Sequence, residues 1–325
     1  VTGGAGYVGS CLIRELLNEG YEVLCIDNLM FGGESLLNVW YNNNFTFIKC
    51  DISDTEKLDN IFSKNDFYAV IHLAAIVGDP ACKQYSELAL KTNWISSKWL
   101  VDRSKISGVS KFIFSSTCSN YGKMENPENY VNENSILSPI SIYAELKVKF
   151  EQYLLNEIVK THEFSPTSLR FSTVYGLSPR MRFDLTVNEF TKILSLGKEL
   201  SIFGEQFWRP YCHVKDFANA FITVLKSPNE KVAYNVFNVG DNKENYTKQM
   251  IVNEITKLLP NSRIRYVAKN EDPRDYRVNF DKIKNELGFK ISMTVPDGIA
   301  EIKRAVEEKL ILNPEDQKYY NTPYG

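Results

Sequence analysis

Val1-Thr2-Gly3-Gly4-Ala5-Gly6-Tyr7-Val8-Gly9 reads from the end of a strand into the start of a helix. Gly3, Gly6 and Gly9 would allow a tight turn, close approach of backbone N–H groups to a pyrophosphate, and close packing of helix on strand. Such spacing also occurs in plain glycine-rich turns, so its context decides. The next strand, Tyr21 to Asp27, ends on a carboxylate eighteen residues after Gly9. A carboxylate there accepts hydrogen bonds from a ribose diol and repels a 2′-phosphate, which favours NAD over NADP. Tyr7, Val8 and Asn28 complete this part of the expected cofactor site. Asp51 and Ile52, at the end of the following strand, are placed at the adenine, although Asp-Ile-Ser-Asp reads equally as a helix cap. Leu73, Ala74 and Ala75 close the next strand at the carboxyl edge of the sheet, where open α/β sheets bind ligands. His72 reads as structural, since no sequence feature supplies it with a partner.

Outward from that stretch, strand patterns alternate with helical ones at Tyr21 to Asp27, Phe45 to Cys50, Ala69 to Ala74, Phe112 to Ser116, Ser168 to Thr173 and Tyr234 to Val239. Helices read at Ser10 to Asn18, Thr55 to Ser63 and Tyr143 to Val159. This alternation predicts an α/β fold, a doubly wound parallel sheet. Beyond Arg170 the alternation weakens, with loops at Ser178 to Arg182 and Gln206 to Pro210. Helices follow near Leu185 to Leu196, Lys248 to Leu259 and Val295 to Leu310. The expected division is a nucleotide-binding domain over 1–170, rejoined by 212–240, and a smaller substrate lobe over 171–211 and 241–325.

Bulk properties narrow the setting. The 325 residues suit one large domain with a smaller lobe, and 43% hydrophobic with 24% charged residues suits an ordinary globular protein. A net charge of -2 provides no excess of cations for a nucleic-acid backbone or an anionic bilayer. Six scattered cysteines without a CxxC pair argue against a metal site and a disulfide framework, so a reducing cytoplasm is expected. No apolar run approaches the ~20 residues of a membrane span, and no charged-then-apolar leader is apparent. Because Val1 already stands in the last part of a strand, a few native residues are expected to precede it.

The chemistry reads from Tyr143 and Lys147, four apart on one helical face. An ammonium beside a phenol favours the phenolate and lowers a pKa that starts near ~10, as a general base requires. A YxxxK pair alone reads as a solvated helix face. Phe114-Ser115-Ser116-Thr117, ending a strand 26 residues earlier, brings the Thr117 hydroxyl to the same sheet edge.

TGxxGxxG, the acidic residue after the second strand, HLAA, SST followed by Tyr121-Gly122, and YxxxK together resemble the extended short-chain dehydrogenases that modify nucleotide sugars. The likeness covers nearly the whole chain. It implies a Rossmann-type fold, NAD as cofactor, Thr117, Tyr143 and Lys147 as the catalytic set, and a homodimer through helices that include the Tyr143 segment. Leu146, Phe150, Tyr153, Leu154 and Ile158 of that segment suit either a partner or the protomer's own core. Trp208-Arg209-Pro210-Tyr211-Cys212-His213-Val214-Lys215-Asp216 resembles the family's R-x-Y-x-H-V-x-D stretch, and Pro273-Arg274-Asp275-Tyr276 its later arginine site. Arg209 and Arg274 would then hold the substrate diphosphate, a use that suits the guanidinium fork.

Departures from the family pattern narrow the reaction. Dehydratases carry Asp-Glu after the catalytic Thr where this chain has Cys118 and Ser119, and 3,5-epimerases carry a cysteine at the Ser119 position. A serine without an activating partner is a poor proton acceptor, which leaves oxidation and reduction at one carbinol. Cys118 reads as a small buried residue. The family's Asn before V-x-G is Thr173 here, which puts the usual sugar and phosphate contact at that place in question. The stretch from Ser178 to Thr191 is similar to that of bacterial GDP-heptose 4-dehydrogenases, which makes Arg180, Arg182 and Asn188 candidate substrate contacts; a solvated two-arginine loop is the other reading. The expected substrate is a GDP-, UDP- or dTDP-linked sugar. The expected reaction is C4 epimerisation or C4 dehydrogenation, with 4-keto reduction behind them. A cofactor sensor without turnover would show a damaged Tyr/Lys pair, and both residues are intact.

Overall fold

A computed structural model describes residues 1–124, 129–267 and 275–321. Its strands are Val23–Asp27 (β1), Phe45–Lys49 (β2), Ala69–His72 (β3), Lys111–Thr117 (β4), Ser165–Phe171 (β5), Thr173–Tyr175 (β6), Leu200–Phe203 (β7), Trp208–His213 (β8), Asn235–Val239 (β9), Asn245–Thr247 (β10) and Ile264–Val267 (β11). In the main sheet β1 pairs with β2, and β3, β4, β5 and β9 pair in that order, all parallel. Thr2 joins the two sets. It bridges Ile26 of β1 and His72 of β3, so the Val1–Thr2 segment is the central rung. Parallel strands with right-handed crossovers place every strand's carboxyl end on one edge, and the glycine turn follows Thr2 at that edge.

Two helices cover the face behind that turn. Tyr7–Asn18 presents Leu12, Ile13, Leu16 and Leu17, and Val214–Lys226 presents Ala218, Phe221, Ile222 and Leu225. Both stripes enter one core with Ile71, Ile113, Leu169 and Phe237 from the sheet. A second core, with Tyr175, Phe183, Val187, Leu200, Ile251 and Ile299, lies under the later segments, where β8 runs between β6 and β10 and β7 pairs with β11. Among the described residues no helix is long and apolar enough to cross a membrane, and no His, Cys, Asp and Glu group could hold a metal ion.

Several element boundaries differ from the sequence reading. The strand read from Ser168 begins at Ser165 and ends at Phe171; Ser172 donates its hydroxyl to the Val239 carbonyl (2.6 Å), and the next three residues pair with β8 instead. Pro166 stands opposite Phe112 of β4 and precedes Thr167, where pairing with β9 begins. The Gln206 to Pro210 loop is in part strand β8, in which Pro210 stands opposite Asn245 of β10 and pairing with β6 begins at Tyr211. The helix read from Tyr143 to Val159 is α-helical over Ile142–Gln152 and π-helical over Tyr153–Glu157.

Backbone packing makes Gly9 the tightest point of the first turn: a Cβ there would run into the Gly3 carbonyl oxygen and the Gly4 backbone. Gly9→Ala is expected to cost about 1–3 kcal/mol through overpacking and to lower NAD retention. An unchanged urea midpoint together with full cofactor content would contradict this.

Candidate active site

One pocket at the carboxyl edge of the main sheet collects most of the residues singled out by sequence. Gly3, Gly6, Tyr7, Val8 and Gly9 line one end of it, with Asp27, Asn28, Asp51 and Ile52 beside them. Leu73, Ala74 and Ala75 follow, and Thr117, Tyr143, Lys147, Arg180 and Arg182 line it further along. Thr173, Asn188 and Arg209 are not among the lining residues, and Arg274 lies outside the described residues.

The dinucleotide end is built for close backbone approach. Gly3 has φ +73°, and a Cβ on it would stand 2.6 Å from the Ala74 nitrogen. Gly6 caps the helix Tyr7–Asn18 without a side-chain hydrogen bond, which leaves the first-turn N–H groups of this pocket-lining helix start without a side-chain cap. Asp27 accepts from the Ala5 N–H (3.0 Å) and the Leu29 N–H (2.8 Å), which orients its half-buried carboxylate. Burial pushes its pKa up against those two bonds. Asp51 accepts from Asn28 (2.8 Å) and the Ser53 N–H (2.8 Å); these bonds outweigh its burial and lower its pKa. The cap of helix Thr55–Ser63 is Asp54, not Asp51, so Asp51 is left to the pocket. A cradle that a Cβ would fill, a helix N-terminus and the pocket-lining carboxylate of Asp27 fit NAD.

At the chemical end, Ser141 caps the helix Ile142–Gln152 and donates to Asp79 (2.7 Å). That helix carries Tyr143, Lys147 and Glu151 at four-residue intervals. Lys147 donates to the Ser115 carbonyl (2.7 Å), and its Nζ lies 4.6 Å from the Phe114 ring centre and 5.8 Å from that of Tyr143. Burial lowers its pKa to about 8. Tyr143 is half-buried against Ile76, Cys82 and Leu146. Burial raises its pKa; Cys82 and Asp79 add to the rise, and the opposing cation is Arg182. Burial thus works against the phenolate, opposite in direction to the lowering expected from Lys147. The ammonium is itself desolvated and directed at a carbonyl, so burial governs the phenol.

Thr117 ends β4, and its Oγ1 accepts from the Ser119 N–H (3.1 Å). Cys118 is buried, donating to the Arg170 carbonyl (3.2 Å), and burial raises its pKa. Ser119 does not line the pocket. Arg182 forms a bidentate pair with Asp184 (2.9 and 2.7 Å), and Arg180 lies 4.3 Å over the Phe31 ring and donates to the Tyr320 carbonyl (3.3 Å). Asn188 is fully buried: it accepts from the Gly176 N–H (2.9 Å) and donates to the Arg182 carbonyl (2.8 Å) and the Tyr7 hydroxyl (3.1 Å). Its amide ties the loop to the first helix rather than facing the pocket. Arg209 donates to its neighbour's carbonyl on Trp208 (2.6 Å) and packs over Tyr276.

Sequence reasoning missed the supports. Glu151 and Arg170 form a buried pair (2.5 Å), extended by Ser168, Tyr121 and Asn238. The signal was present, since Glu151 continues the Tyr143 and Lys147 spacing by one more turn. Asn93 bonds both the N–H and the carbonyl of Ile76, holding the wall after Ala75, and nothing in its neighbourhood announced this. Buried His72 bonds Thr2 (2.8 Å) and Ser97 (2.9 Å), and burial lowers its pKa to about 3, which supports its structural reading.

A family model described as the NAD dependent epimerase/dehydratase family matches residues 1–240. UDP-glucose 4-epimerase of Bacillus subtilis (strain 168) is 28% identical, over 95% of this chain and 93% of that protein. Among solved structures, UDP-glucose 4-epimerase of Thermotoga maritima with UDP-glucose superposes with a TM-score of 0.83 at 29% identity, covering 95% of this chain and 98% of that one. UDP-glucuronic acid 4-epimerase from Bacillus cereus, in complex with UDP-glucuronic acid and NAD, gives 0.82 at 25% identity, covering 94% and 98%.

The buried Lys147 carries a stability signature. Its folded pKa of about 8 lies below its ordinary 10.5, so between those values the unfolded chain binds more protons and rising pH favours the fold. Cofactor-free protein, compared with Lys147→Met by urea unfolding, is expected to gain about 2 kcal/mol on the variant between about pH 7 and about pH 10. A pH-independent difference would show that the ammonium is not desolvated.

Proposed function

Because the chain belongs to the NAD dependent epimerase/dehydratase family, we propose that it acts at C4 of a nucleotide-diphosphate sugar through a 4-keto intermediate. The observation that carries this reading is the presence of Thr117, Tyr143 and Lys147 in the same pocket as the glycine turn and Asp27. Gly3, Gly6, Gly9, Asp27 and Asp51 would hold the adenosine and diphosphate of NAD, and Lys147 the nicotinamide ribose. When bound, NAD supplies hydride chemistry at C4.

Tyr143, as phenolate, removes the proton of the C4 hydroxyl. Thr117 already accepts from Ser119, which leaves its own hydroxyl hydrogen for the sugar oxygen. Lys147 spends one hydrogen on Ser115 and keeps two for the pocket. Arg180 and Arg182 are the arginines the described pocket offers to the substrate, whether GDP-, UDP- or dTDP-linked. Ser119 gives no second acid or base beside Thr117, which supports chemistry confined to C4. In a 4-epimerase the keto sugar turns over in the pocket and is reduced on its other face; in a 4-dehydrogenase it leaves. The names of the relatives favour the epimerase. A 4-keto reductase is the third reading, disfavoured by Asp27.

Tyr143→Phe is expected to lower turnover by about 10²–10⁴-fold, the range of a positioned general base. The assay uses a panel of UDP-, GDP- and dTDP-sugars, with products read by NMR and bound NAD by release. Undiminished turnover in the variant would overturn the catalytic assignment, and a released keto sugar with stoichiometric NADH would replace epimerase by dehydrogenase.

The reading includes a homodimer and a cytoplasmic setting, the latter supported by six free, buried cysteines. Leu146, Phe150, Leu154 and Ile158 are buried in the protomer's own core, so they are not the docking face. Leu90, Ile95 and Ile142 are exposed on the neighbouring helical surface. Light scattering should give twice the 37.3 kDa chain mass, falling to one chain in Ile95→Glu; a monomeric parent would end this part of the proposal.

A further inference from the structure

We propose that Phe31 and Arg180 form a clasp over the dinucleotide cradle, one that keeps NAD in place between two hydride transfers. The inference rests on the family's cofactor and not on the identity of the sugar. It starts from a contact between segments far apart in sequence: the guanidinium carbon of Arg180 stands 4.3 Å from the centre of the Phe31 ring. Both side chains line the pocket that holds the glycine turn.

Each half of the clasp is anchored on that turn. On one side, the loop over 28–34 leaves Asp27, whose carboxylate accepts the Ala5 N–H (3.0 Å), and returns at Ser35, whose hydroxyl donates to the Ala5 carbonyl (2.7 Å). Ala5 thus holds both ends of the loop, with Phe31 midway along it. On the other side, two residues before Arg180, Ser178 donates to the Tyr7 carbonyl (2.7 Å) and bonds the Ser10 hydroxyl (3.1 Å). Tyr7 in turn donates its hydroxyl to the Gly176 carbonyl (2.5 Å). The contact of Phe31 with Arg180 therefore closes a ring whose base is the turn itself. Gly6 stands between the two anchors, so a diphosphate seated at this helix start lies within the ring.

The loop is preset for this contact. Leu29 holds φ +61°, a left-handed backbone that leucine rarely adopts. Asp27 fixes it by accepting the Leu29 N–H (2.8 Å), and the Gly32 N–H donates to the Leu29 carbonyl (3.1 Å). The Asn28 side chain accepts the Met30 N–H (3.0 Å). Strain of this kind persists only where the surroundings over-determine it, and here it presents the half-buried Phe31 ring to Arg180. Arg180 is 6% exposed and donates through Nη2 to the Tyr320 carbonyl (3.3 Å), so the clasp also gathers the later chain. A desolvated guanidinium holds a ring face more firmly than an exposed one, while one such contact stays weak enough to part when the cofactor exchanges.

The test loads the full chain with radiolabelled NAD and follows loss of label during a chase with unlabelled NAD, without sugar. Phe31→Ala and Arg180→Met are each expected to release NAD about 3–30-fold faster than the parent, the range of a cation–π contact from partly to fully desolvated. The double variant should be no faster than the faster single one, because either change removes the same contact. Phe31→Tyr, which keeps a ring face, should release NAD at close to the parental rate.

Parental release in both single variants would overturn the proposal, and so would a double variant whose effects multiply. Unmoved release with a raised sugar KM in Arg180→Met would mark a plain sugar contact and overturn it as well. Should Arg180→Met not fold, Phe31→Ala against Phe31→Tyr decides on the same chase. If the parent turns over no nucleotide sugar while the variants still shed NAD faster, the sugar reading fails and the clasp stands. A parent that takes up no label ends the clasp together with the cofactor site.

Discussion

A carboxylate and a guanidinium sealed behind the helix Ile142–Gln152 determine where Tyr143 stands. Glu151 and Arg170 are both almost fully buried, and neither can be left without the other, because an unpaired charge in that place would cost several kcal/mol. Each oxygen of Glu151 is engaged, by Arg170 and by Ser168. Arg170 also reaches Tyr121, which in turn donates to Asn238 of β9. One polar network thus ties the helix, the turn after Thr117 and two strands of the main sheet. Two turns up the same helical face from Glu151 is the phenol. Satisfied networks of this kind favour a single arrangement over near alternatives.

The environment around the phenol sets a problem that the fold must solve. Desolvation disfavours the phenolate and also weakens the hold of Lys147 on its proton. Both shifts have the same origin, burial in a low-dielectric wall formed by Phe114, Ile76 and Leu146. A dry wall strengthens every remaining charge interaction, so a few well-oriented cations can act strongly there.

Much of this was legible in the sequence, and the parts that were not share a physical cause. Gly3, Gly9 and Asp27 could be read because backbone clearance and ribose recognition demand specific residue types at specific steps. Tyr143 and Lys147 could be read because helical spacing sets their relation. By contrast, Asn188 looked like a ligand for sugar, yet its partners are Gly176, Arg182 and Tyr7, contacts that depend on how two distant segments fold together. Strand β8 was obscured by Pro210, which nevertheless stands in the ladder opposite Asn245 of β10. The end of β5 was blurred because Phe171 and Thr173 belong to different sheets, and only the Ser172 hydroxyl marks the change.

The tether through Asn188 has a bearing on how such an enzyme can diversify. Its amide joins the cradle residue Tyr7 to the backbone at Arg182, so the loop bearing both arginines is framed by the same hydrogen bonds that seat the first helix. Exchange of side chains along that loop leaves those bonds intact, since they run to carbonyls and to a hydroxyl elsewhere. Side chains along that loop can then change one at a time without unseating the first helix.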